Sequence, residues 1–459
     1  MLSPPLLALR SWALMLLPAC AIALLWWPSL PNSFQFDDWN VIVNEPRVHS
    51  LAAWWHSMPG IRPLLKLSYA LNFSAVADDP LGFRLVNVLI HALNATLVCC
   101  LLRERGLRAG LDQTQTTQAA LFATLLFALH PVQTEAVTYI SGRSSSLAAC
   151  FCLLSLYCWV RSEQGSKAWL IACGASYVAA VATKETALIL PLALWLYGAD
   201  QPTRATLQRL LPLLALTAAL TISALSLPKY RYLLGVSLDT RTVGENLLTQ
   251  SHALLYLAGQ LVRIRNGNAD PQLPIVTAAD PVSVLLSLAW LVVLIAAVLN
   301  VRKAPAGAFA LLWFLLWLAP TNSLLPRLDV ANDRQLYLAV IGPAWWLAVR
   351  IVTLPIARPA MASFAAALLL LPLMFATLQR NRIYQTEITY WEDTALRNPT
   401  NARAANNLGI AYAFACRGDD AAAAFDHSIA MSPEDFRARI NRRLLRDGQL
   451  PGVDPDRCR

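Results

Sequence analysis

Charged residues are scarce in this sequence. Only 14% of its 459 residues are Asp, Glu, Lys or Arg, whereas 56% are hydrophobic. Soluble domains carry about 25% charged residues, and apolar stretches of spanning length are typical of membrane helices. The composition therefore excludes an ordinary soluble protein and predicts an all-α, polytopic helical protein of the lipid bilayer.

Sequence signals for soluble cofactors and for metals are missing as well. The chain has no Gly-x-Gly-x-x-Gly run and no Walker lysine loop, the two patterns that cradle nucleotide phosphates. Its nine cysteines and six histidines form no Cys-x-x-Cys pair and no Cys/His spacing of the zinc-site kind. We therefore expect neither a nucleotide cofactor nor a zinc knuckle.

The formal charge of +9 does not indicate a nucleic-acid partner, because the basic residues form no stripe. Many of them lie in short gaps between apolar stretches, which is the pattern of cytoplasmic loops under the positive-inside rule. These residues are Arg103, Arg105, Arg108, Arg161, Lys167, Arg204, Arg209, Arg302, Lys303, Arg350 and Arg358. The charge is therefore interpreted as an orientation signal, with the N-terminus in the cytoplasm.

About eleven apolar runs are interpreted as membrane spans. They are 11–30, 85–102, 117–129, 144–160, 168–182, 186–197, 210–227, 282–299, 307–319, 336–349 and 360–378. The first run follows Arg10 without a clear small-residue cleavage site, so it is interpreted as a retained span and not as a signal peptide. A further run, 254–264, is too short to cross and is interpreted as a half-inserted or interfacial helix. Because eleven is an odd number of spans and the N-terminus is expected in the cytoplasm, the C-terminus is expected outside.

This topology brings several polar segments to one outer face. The first outer loop, 32–84, carries Asp37 and Asp38 among aromatic residues directly after the first span. Inserting an ionised side chain costs about 2.5–3.5 kcal/mol at the bilayer centre and less toward the interface. The placement of the pair therefore suggests a functional role. A solvated loop start, where Asp is common, is the equally weighted alternative.

The composition changes sharply after the last apolar run. This change divides the chain into a membrane domain, 1–378, and a polar, Ala- and Arg-rich domain, 379–459. Pro399 and Pro433 in the second domain are 34 residues apart, which is the tetratricopeptide period. We predict a small C-terminal tetratricopeptide-like helical domain, with a generic Ala-rich helical hairpin as the alternative.

A membrane enzyme that lacks nucleotide motifs can take an activated group from a lipid phosphate. Guanidinium and ammonium groups would stabilise the anionic leaving phosphate, and a carboxylate base would serve the acceptor hydroxyl. Asp37 is positioned to be that base, and the candidate phosphate partners are Arg143, Lys184 and Arg334. Each basic residue taken alone is more often an interfacial anchor or a topology signal.

Several motifs resemble one family. They are Phe36-Asp37-Asp38, Arg62-Pro63-Leu64, His130-Pro131-Val132-Gln133-Thr134-Glu135, Ser141-Gly142-Arg143, Lys184-Glu185 and Asp333-Arg334-Gln335. Together they are similar to the transmembrane and tetratricopeptide-repeat O-mannosyltransferases and their bacterial relatives, in the GT-C glycosyltransferase superfamily. The resemblance covers nearly the whole chain, and the His-Pro-Val-x-Thr-Glu run is its most specific element. Arg84 and Asp333 depart from the residues that family members often carry, and the repeat array is short.

The resemblance implies a GT-C membrane domain whose active site faces the lumen or periplasm. It implies transfer of a sugar from a polyprenyl-phosphate-linked donor, by inverting single displacement, to a hydroxyl of a protein or glycan. The implied catalytic residues are Asp37, Asp38 and Glu135, and the implied substrate-binding residues are His130, Arg62, Arg143, Lys184 and Arg334. For a bacterial relative, the expected location is the inner membrane, with the active site and the repeats in the periplasm.

Other interpretations and details remain open from the sequence. The Asp37-Asp38 pair could hold Mg²⁺ or Mn²⁺, although we expect no metal because basic residues are plentiful enough to neutralise a lipid phosphate. A transporter or flippase of lipid-linked sugars should show mid-span charges or two related halves, and neither is detected. A membrane scaffold would need no outer acidic pair.

Cys416 and Cys458 share the oxidising side, so a disulfide between them is a further prediction.

Overall fold

Every regular element that the computed structural model describes is a helix. The description covers residues 17–198, 204–264, 267–354 and 359–452, with side chains from residue 366 onward in the last range. The membrane-domain helices are α1 (Leu17–Ser29), α2 (Leu51–His56), α3 (Pro63–Val76), α4 (Pro80–Arg108), α5 (Gln113–Leu129), α6 (Thr134–Val137), α7 (Arg143–Ser162), α8 (Lys167–Thr183), α9 (Leu190–Tyr197), α10 (Arg204–Ser226), α11 (Pro228–Thr240), α12 (Val243–Gln260), α13 (Pro281–Leu299), α14 (Pro305–Leu318), α15 (Leu336–Ala339), α16 (Ile341–Thr353) and α17 (Pro359–Ile383). Four more helices follow: α18 (Glu387–Arg397), α19 (Ala402–Phe414), α20 (Gly418–Met431) and α21 (Phe436–Arg446).

Several helices have the length and composition of membrane spans. In the described ranges four qualify, namely α4, the helix Ile140–Ser162 that includes α7, α10 and α13, and two bent helix pairs raise the number to six. The bent pairs are α5 with Pro131–Val137 and Asp333–Ala339 with α16, and four further apolar helices are shorter. The prediction of an all-α polytopic membrane protein is confirmed. Each predicted run falls on one of these helices or on α17, but the count by length and composition is four to six, below the expected eleven.

The centre of the membrane domain is formed by α4, α5, α7 and α16, with α14 packed on α16. Tyr337 ties this centre together, because its hydroxyl lies 2.7 Å from His91 Nδ1 and accepts a hydrogen bond from Asn94 Nδ2 at 2.9 Å. Helices α14 and α16 approach closely, since a Cβ on Gly342 would lie 2.8 Å from Ala310 O. Small residues at such crossings are the usual device of membrane helices.

The run 254–264 forms the second half of α12. This helix begins at a capping box in which Thr242 and Glu245 satisfy each other's backbone N–H groups. Residues Ala253 and Leu257 of its inner face are buried against α14 and the following loop. Its predicted depth in the bilayer stays a prediction.

Each C-terminal helix packs on the next along the chain, α18 on α19, α19 on α20 and α20 on α21. Helices α19 and α20 approach closely at Gly409, where a Cβ would lie 2.6 Å from Phe425 Cε1. Helix α17 runs past the predicted domain boundary at residue 378 and ends at Ile383. Cys458 lies outside the described residues, so its pairing with Cys416 stays a prediction.

Candidate active site

The first outer loop is fixed to the turn before α7 by Asp38. This side chain is fully buried, and its Oδ1 accepts hydrogen bonds from Ser141 N at 2.7 Å and from Ser141 Oγ at 2.5 Å. Its Oδ2 accepts from Gln35 N at 3.0 Å. Burial raises the pKa of the carboxyl to about 6, against the opposing effects of Ser141 and Arg84. Since its oxygens are occupied by the protein, Asp38 holds the loop in place.

Asp37 has a different environment from its neighbour. Its backbone N–H donates to Tyr139 Oη at 3.1 Å, while its half-buried carboxylate has no hydrogen bond or ion pair within the described residues. The residue before it, Phe36, has a φ of 41°, a left-handed conformation that non-glycine residues rarely adopt and that is concentrated at functional sites. Of the predicted acidic pair, Asp37 is thus the member with a carboxylate available for chemistry.

The strained backbone at Phe36 is held by the C-terminal helices. Glu387 accepts a hydrogen bond from Phe36 N at 2.7 Å and another from Trp39 Nε1 at 3.2 Å. The Phe36 ring packs edge-on against Trp391, with ring centroids 5.1 Å apart. Two predicted parts of the chain, the first outer loop and the C-terminal domain, therefore meet at the position of Asp37.

Glu135 and Arg334 form the second element of the site. Glu135 Oε2 accepts from Arg334 N at 3.0 Å, and Glu135 Oε1 lies 3.5 Å from Arg334 Nε. Glu135 is 4% exposed, and its main chain is packed so closely on Gly142 that a Cβ there would collide with Glu135 O. The terminal nitrogens of Arg334 make no hydrogen bond to any described residue. They are also close enough to Asp37 for an electrostatic interaction.

Basic side chains converge next to Arg334. Lys184, at the end of α8, donates from Nζ to Ser145 Oγ at 2.8 Å. Burial lowers the pKa of this ammonium well below its ordinary value, and repulsion from Arg334, Arg62 and Arg327 lowers it further. Four basic side chains thus lie together, an arrangement that favours an anionic ligand.

Only part of this positive charge is neutralised by the protein. Arg62 forms a two-bond ion pair with Glu185, with Nε–Oε2 at 2.9 Å and Nη2–Oε1 at 2.5 Å. Lys184 and Arg327 have no carboxylate within 4.0 Å among the described residues. The cluster therefore retains unpaired positive charge for a phosphate group.

An apolar pocket opens below the cations. On α7 it is lined by Ser145, Ala148, Ala149 and Cys152, which follow one helix face over about 10 Å. Its other lining residues include Lys184, Trp317, Thr321, Arg334, Gln335 and Leu338. The cavity measures ≈ 50 Å³, so a bound lipid phosphate requires these side chains to move apart.

The Gln335 side chain in this pocket has hydrogen-bonding capacity that the protein does not use. Both its Nε2 and its Oε1 are buried without a hydrogen-bond partner in the described structure. Buried amide groups are almost always hydrogen-bonded, so an unpaired donor and acceptor on one side chain need an explanation. A phosphate or hydroxyl oxygen of a ligand could accept from Nε2, and a ligand hydroxyl could donate to Oε1.

Two predicted substrate-binding residues lie elsewhere. Arg143 is fully buried and donates to Asn87 Oδ1 at 2.6 Å, to Asn72 Oδ1 at 2.8 Å and to Phe83 O at 2.8 Å. His130 is 4% exposed; its Nδ1 accepts from a backbone N–H at 3.2 Å, and its Nε2 lies 3.2 Å from a backbone carbonyl. Both side chains are occupied by the protein, and the structure does not bring them into the cation cluster.

Four neighbours of the site were not among the predicted site residues. Gln335 lies within a predicted motif and Tyr139 lies close to one. Their positions in the sequence could therefore have identified both as site residues. Arg327 lies in the same outer loop as Arg334, and its pKa is lowered by burial and by Arg334 and Arg62. Glu387 lies far along the chain, and no local pattern connects it with Phe36.

No metal site was found in the parts of the chain that the structure describes. There, no three His, Cys, Asp or Glu side chains gather closely enough to hold an ion. Asp38 is buried and Asp37 is half-exposed, so the two side chains do not face one common space that could hold an ion. The expectation that no metal is required stays a prediction.

The chain is similar to known membrane mannosyltransferases. Residues 63–227 match the family model described as dolichyl-phosphate-mannose-protein mannosyltransferase. The chain is 35% identical over 164 residues to protein O-mannosyl-transferase TMTC4 of Mus musculus, covering 30% of this chain and 22% of that protein. It is 30% identical over 163 residues to protein O-mannosyl-transferase TMTC3 of Homo sapiens, covering 34% and 16%.

A longer match extends over most of the chain. Protein O-mannosyl-transferase F38B6.6 of Caenorhabditis elegans is 25% identical over 406 residues, which cover 83% of this chain and 57% of the nematode protein. The chain thus spans well under two thirds of the length of each of these relatives. No solved structure gives a significant match. The resemblance predicted from the sequence motifs is confirmed by these similarities.

Proposed function

We propose that this chain is a membrane glycosyltransferase of the protein O-mannosylation type. It moves a sugar from a polyprenyl-phosphate-linked donor to a hydroxyl acceptor, a Ser or Thr of a protein. The observation that carries the proposal is the position of Lys184 and Arg334 at the mouth of an apolar pocket, with the unpaired carboxylate of Asp37 nearby. The family model and the names of the relatives support the same reaction class.

The donor would bind with its two chemical parts in matching surroundings. The polyprenyl chain lies along the apolar face of α7, and its phosphate lies against Lys184 and Arg334. Charge-assisted hydrogen bonds from an ammonium and a guanidinium stabilise the negative charge that grows on the phosphate oxygen as the sugar leaves. Glu135 orients Arg334 for this contact through its two carboxylate contacts.

The transfer itself is a single displacement with inversion. Asp37 removes the proton of the acceptor hydroxyl as that oxygen bonds to the anomeric carbon of the sugar. The bond between the anomeric carbon and the phosphate oxygen breaks, and its electron pair stays on the polyprenyl phosphate. Asp38 does not take part in proton transfer; it fixes the loop from which Asp37 acts.

The membrane orientation follows from the same proposal. A polyprenyl-phosphate donor and a protein acceptor meet at the outer surface, so the site and the C-terminal helices lie on the extracytoplasmic side of a bacterial inner membrane. The positive-inside pattern of the short basic loops supports this orientation. No metal enters the proposed step, because the cation cluster supplies the positive charge.

The test compares two aspartates of one loop. Full-length protein in nanodiscs is given a radiolabelled polyprenyl-phosphate mannose and a Ser/Thr-rich peptide. Asp37→Asn is expected to lower transfer by about 100-fold or more, the usual effect of losing a general base. Asp78→Asn, an exposed aspartate of the same loop, serves as the matched control and keeps full turnover.

Other outcomes would identify the competing functions. Normal transfer by Asp37→Asn removes this residue from the mechanism. Movement of the labelled lipid between leaflets without transfer to peptide identifies a flippase. A chain that neither transfers nor flips the lipid, but binds partners through α18–α21, is a scaffold. Mass spectrometry of surface proteins from cells with and without the gene identifies the natural acceptor.

A further inference from the structure

The proposed function leaves one large cavity of the described structure unused. This cavity of ≈ 430 Å³ lies between the end of α12, the outer turns of α17 and helix α18. A second cavity of ≈ 360 Å³ continues it and shares three lining residues with it, Gln260, Arg263 and Arg397. We call the two together the outer groove. Each volume is in the range of known ligand sites.

Four of the five ionic groups that line the outer groove are paired with each other, and the fifth, Arg263, donates to Tyr256 O at 3.4 Å. Arg380 Nη2 lies 3.8 Å from Asp333 Oδ2, and Arg380 Nη1 lies 3.6 Å from Asp393 Oδ2. Asp393 also pairs with Arg397 at 2.7 Å. The two carboxylates neutralise most of the charge of the three arginines that line the groove, so it lacks the concentrated positive charge that a phosphate site needs. The groove differs in this respect from the pocket at Lys184.

Several hydrogen-bonding atoms of residues that line the groove remain unused, and two of them belong to one ion pair. Asp333 Oδ1 and Arg380 Nε have no hydrogen-bond partner in the described structure, although their residues are only 2% and 5% exposed. One is an acceptor and the other a donor, and they belong to side chains in contact with each other. This pair complements the N–H and C=O of one residue of an extended polypeptide, which point to the same side of the chain.

The remaining wall of the groove is apolar and leads toward Asp37. Val132, Ile264 and Phe375 supply contact surface for side chains. Ile383 lines the same cavity and ends α17. Shortly after it, Glu387 holds the backbone of Phe36, directly before Asp37. A ligand in the groove would therefore extend toward the loop of the proposed base.

We propose that the outer groove binds an extended, uncharged polypeptide segment, which is the acceptor of the transfer. The identification as acceptor rests on the proposed function, whereas binding of a peptide in the groove does not. Asp333 and Arg380 bind the N–H and the C=O of one residue of the segment. The apolar wall takes the neighbouring side chains and sets the direction in which a Ser or Thr is presented.

The test uses an obstruction at the mouth of the groove. Gln379→Trp places a large ring at an exposed position of α17 that lines the groove. Leu371→Trp, exposed on the same helix but outside the groove, is the matched control. A neutral Ser/Thr-rich peptide carrying a benzophenone is photo-crosslinked to full-length protein in nanodiscs, and the labelled residues are mapped by mass spectrometry.

We expect crosslinks at residues 260–264 and 375–383, lost in Gln379→Trp and kept in Leu371→Trp. In the transfer assay, Gln379→Trp raises the peptide KM by about tenfold, equivalent to about 1.4 kcal/mol, and leaves the donor KM unchanged. Crosslinks elsewhere, or an unchanged pattern in Gln379→Trp, would overturn the groove proposal even if transfer is observed. Crosslinks in the groove of a wild-type protein that transfers no sugar would uphold peptide binding and overturn the proposed function instead.

Discussion

Arg403 Nη2, in the C-terminal helices, lies 2.9 Å from Asp329 Oδ1, in the loop that also carries Arg327 and Arg334. The same guanidinium pairs with Asp270, with its Nε 2.8 Å from Asp270 Oδ2. One arginine of α19 thus joins two outer loops of the membrane domain. Since the Asp329 loop supplies the cations of the candidate site, the C-terminal helices brace the site itself.

Replacing Arg403 should therefore loosen the loop without removing any group from the site. We expect Arg403→Gln to raise the donor KM several-fold and to cost about 1 kcal/mol of docking free energy, because its side chain is 32% exposed and solvent screens part of the pairing. Hydrogen–deuterium exchange should increase in residues 320–335.

Arg417→Gln provides the comparison, because Arg417 pairs with Asp420 on the surface of α20 and contacts neither loop. Equal exchange in residues 320–335 for both variants and the wild type would contradict the bracing role.

The sequence motifs predicted much of the charged centre of the site. Asp37, Glu135, Lys184 and Arg334 were predicted from their positions beside apolar runs and from the family resemblance, and the structure brings Glu135, Lys184 and Arg334 together beside Asp37. These residues come together because each lies at or beside the end of an apolar helix, where polar residues from several helices meet. The apolar runs likewise predicted the helices, since spanning length is set by the bilayer.

The roles of the remaining motif residues could not be predicted from local patterns. Asp38, Arg143 and His130 belong to the same motifs, but their side chains turn into the protein and bind backbone or amide groups. Burial of this kind is decided by contacts across long stretches of sequence. The same holds for Glu387 and Arg403, whose partners lie 351 and 133 residues away.

Lys184→Met should separate donor binding from stability. A buried ammonium surrounded by guanidinium groups destabilises the fold, so its replacement by an apolar side chain of similar length should leave the melting temperature unchanged or raise it. Loss of one charge-assisted hydrogen bond to phosphate should raise the donor KM by about 10- to 100-fold. Lys229→Met, an exposed lysine of α11, is the control. A normal donor KM in Lys184→Met would exclude the ammonium from the phosphate site.

Arg143→Met should lower the stability of the protein and leave donor binding unchanged, the reverse of the effect expected for Lys184→Met. Its removal leaves the oxygens of Asn87, Asn72 and Phe83 buried without this donor, and buried unsatisfied groups cost about 1–3 kcal/mol each. We expect a clear fall in melting temperature and in the yield of folded protein, measured by fluorescence-detected size exclusion. The folded fraction should keep a wild-type donor KM. A stable Arg143→Met protein with a raised donor KM would return Arg143 to the phosphate site.

Asp38 should make the stability of the protein depend on pH. Burial raises its pKa in the folded state to about 6, above the ordinary value of 3.8, so between these values the folded protein binds more protons at this site than the unfolded chain. The contribution of this group is therefore complete below about pH 4 and is lost as the pH rises through about 6, by at most about 3 kcal/mol. Thermal unfolding from about pH 4 to about pH 7 should show a smaller loss of stability for Asp38→Asn than for the wild type, because the amide does not titrate. Asp78→Asn should follow the wild type, and parallel curves for all three proteins would show that the Asp38 carboxyl is not perturbed by burial.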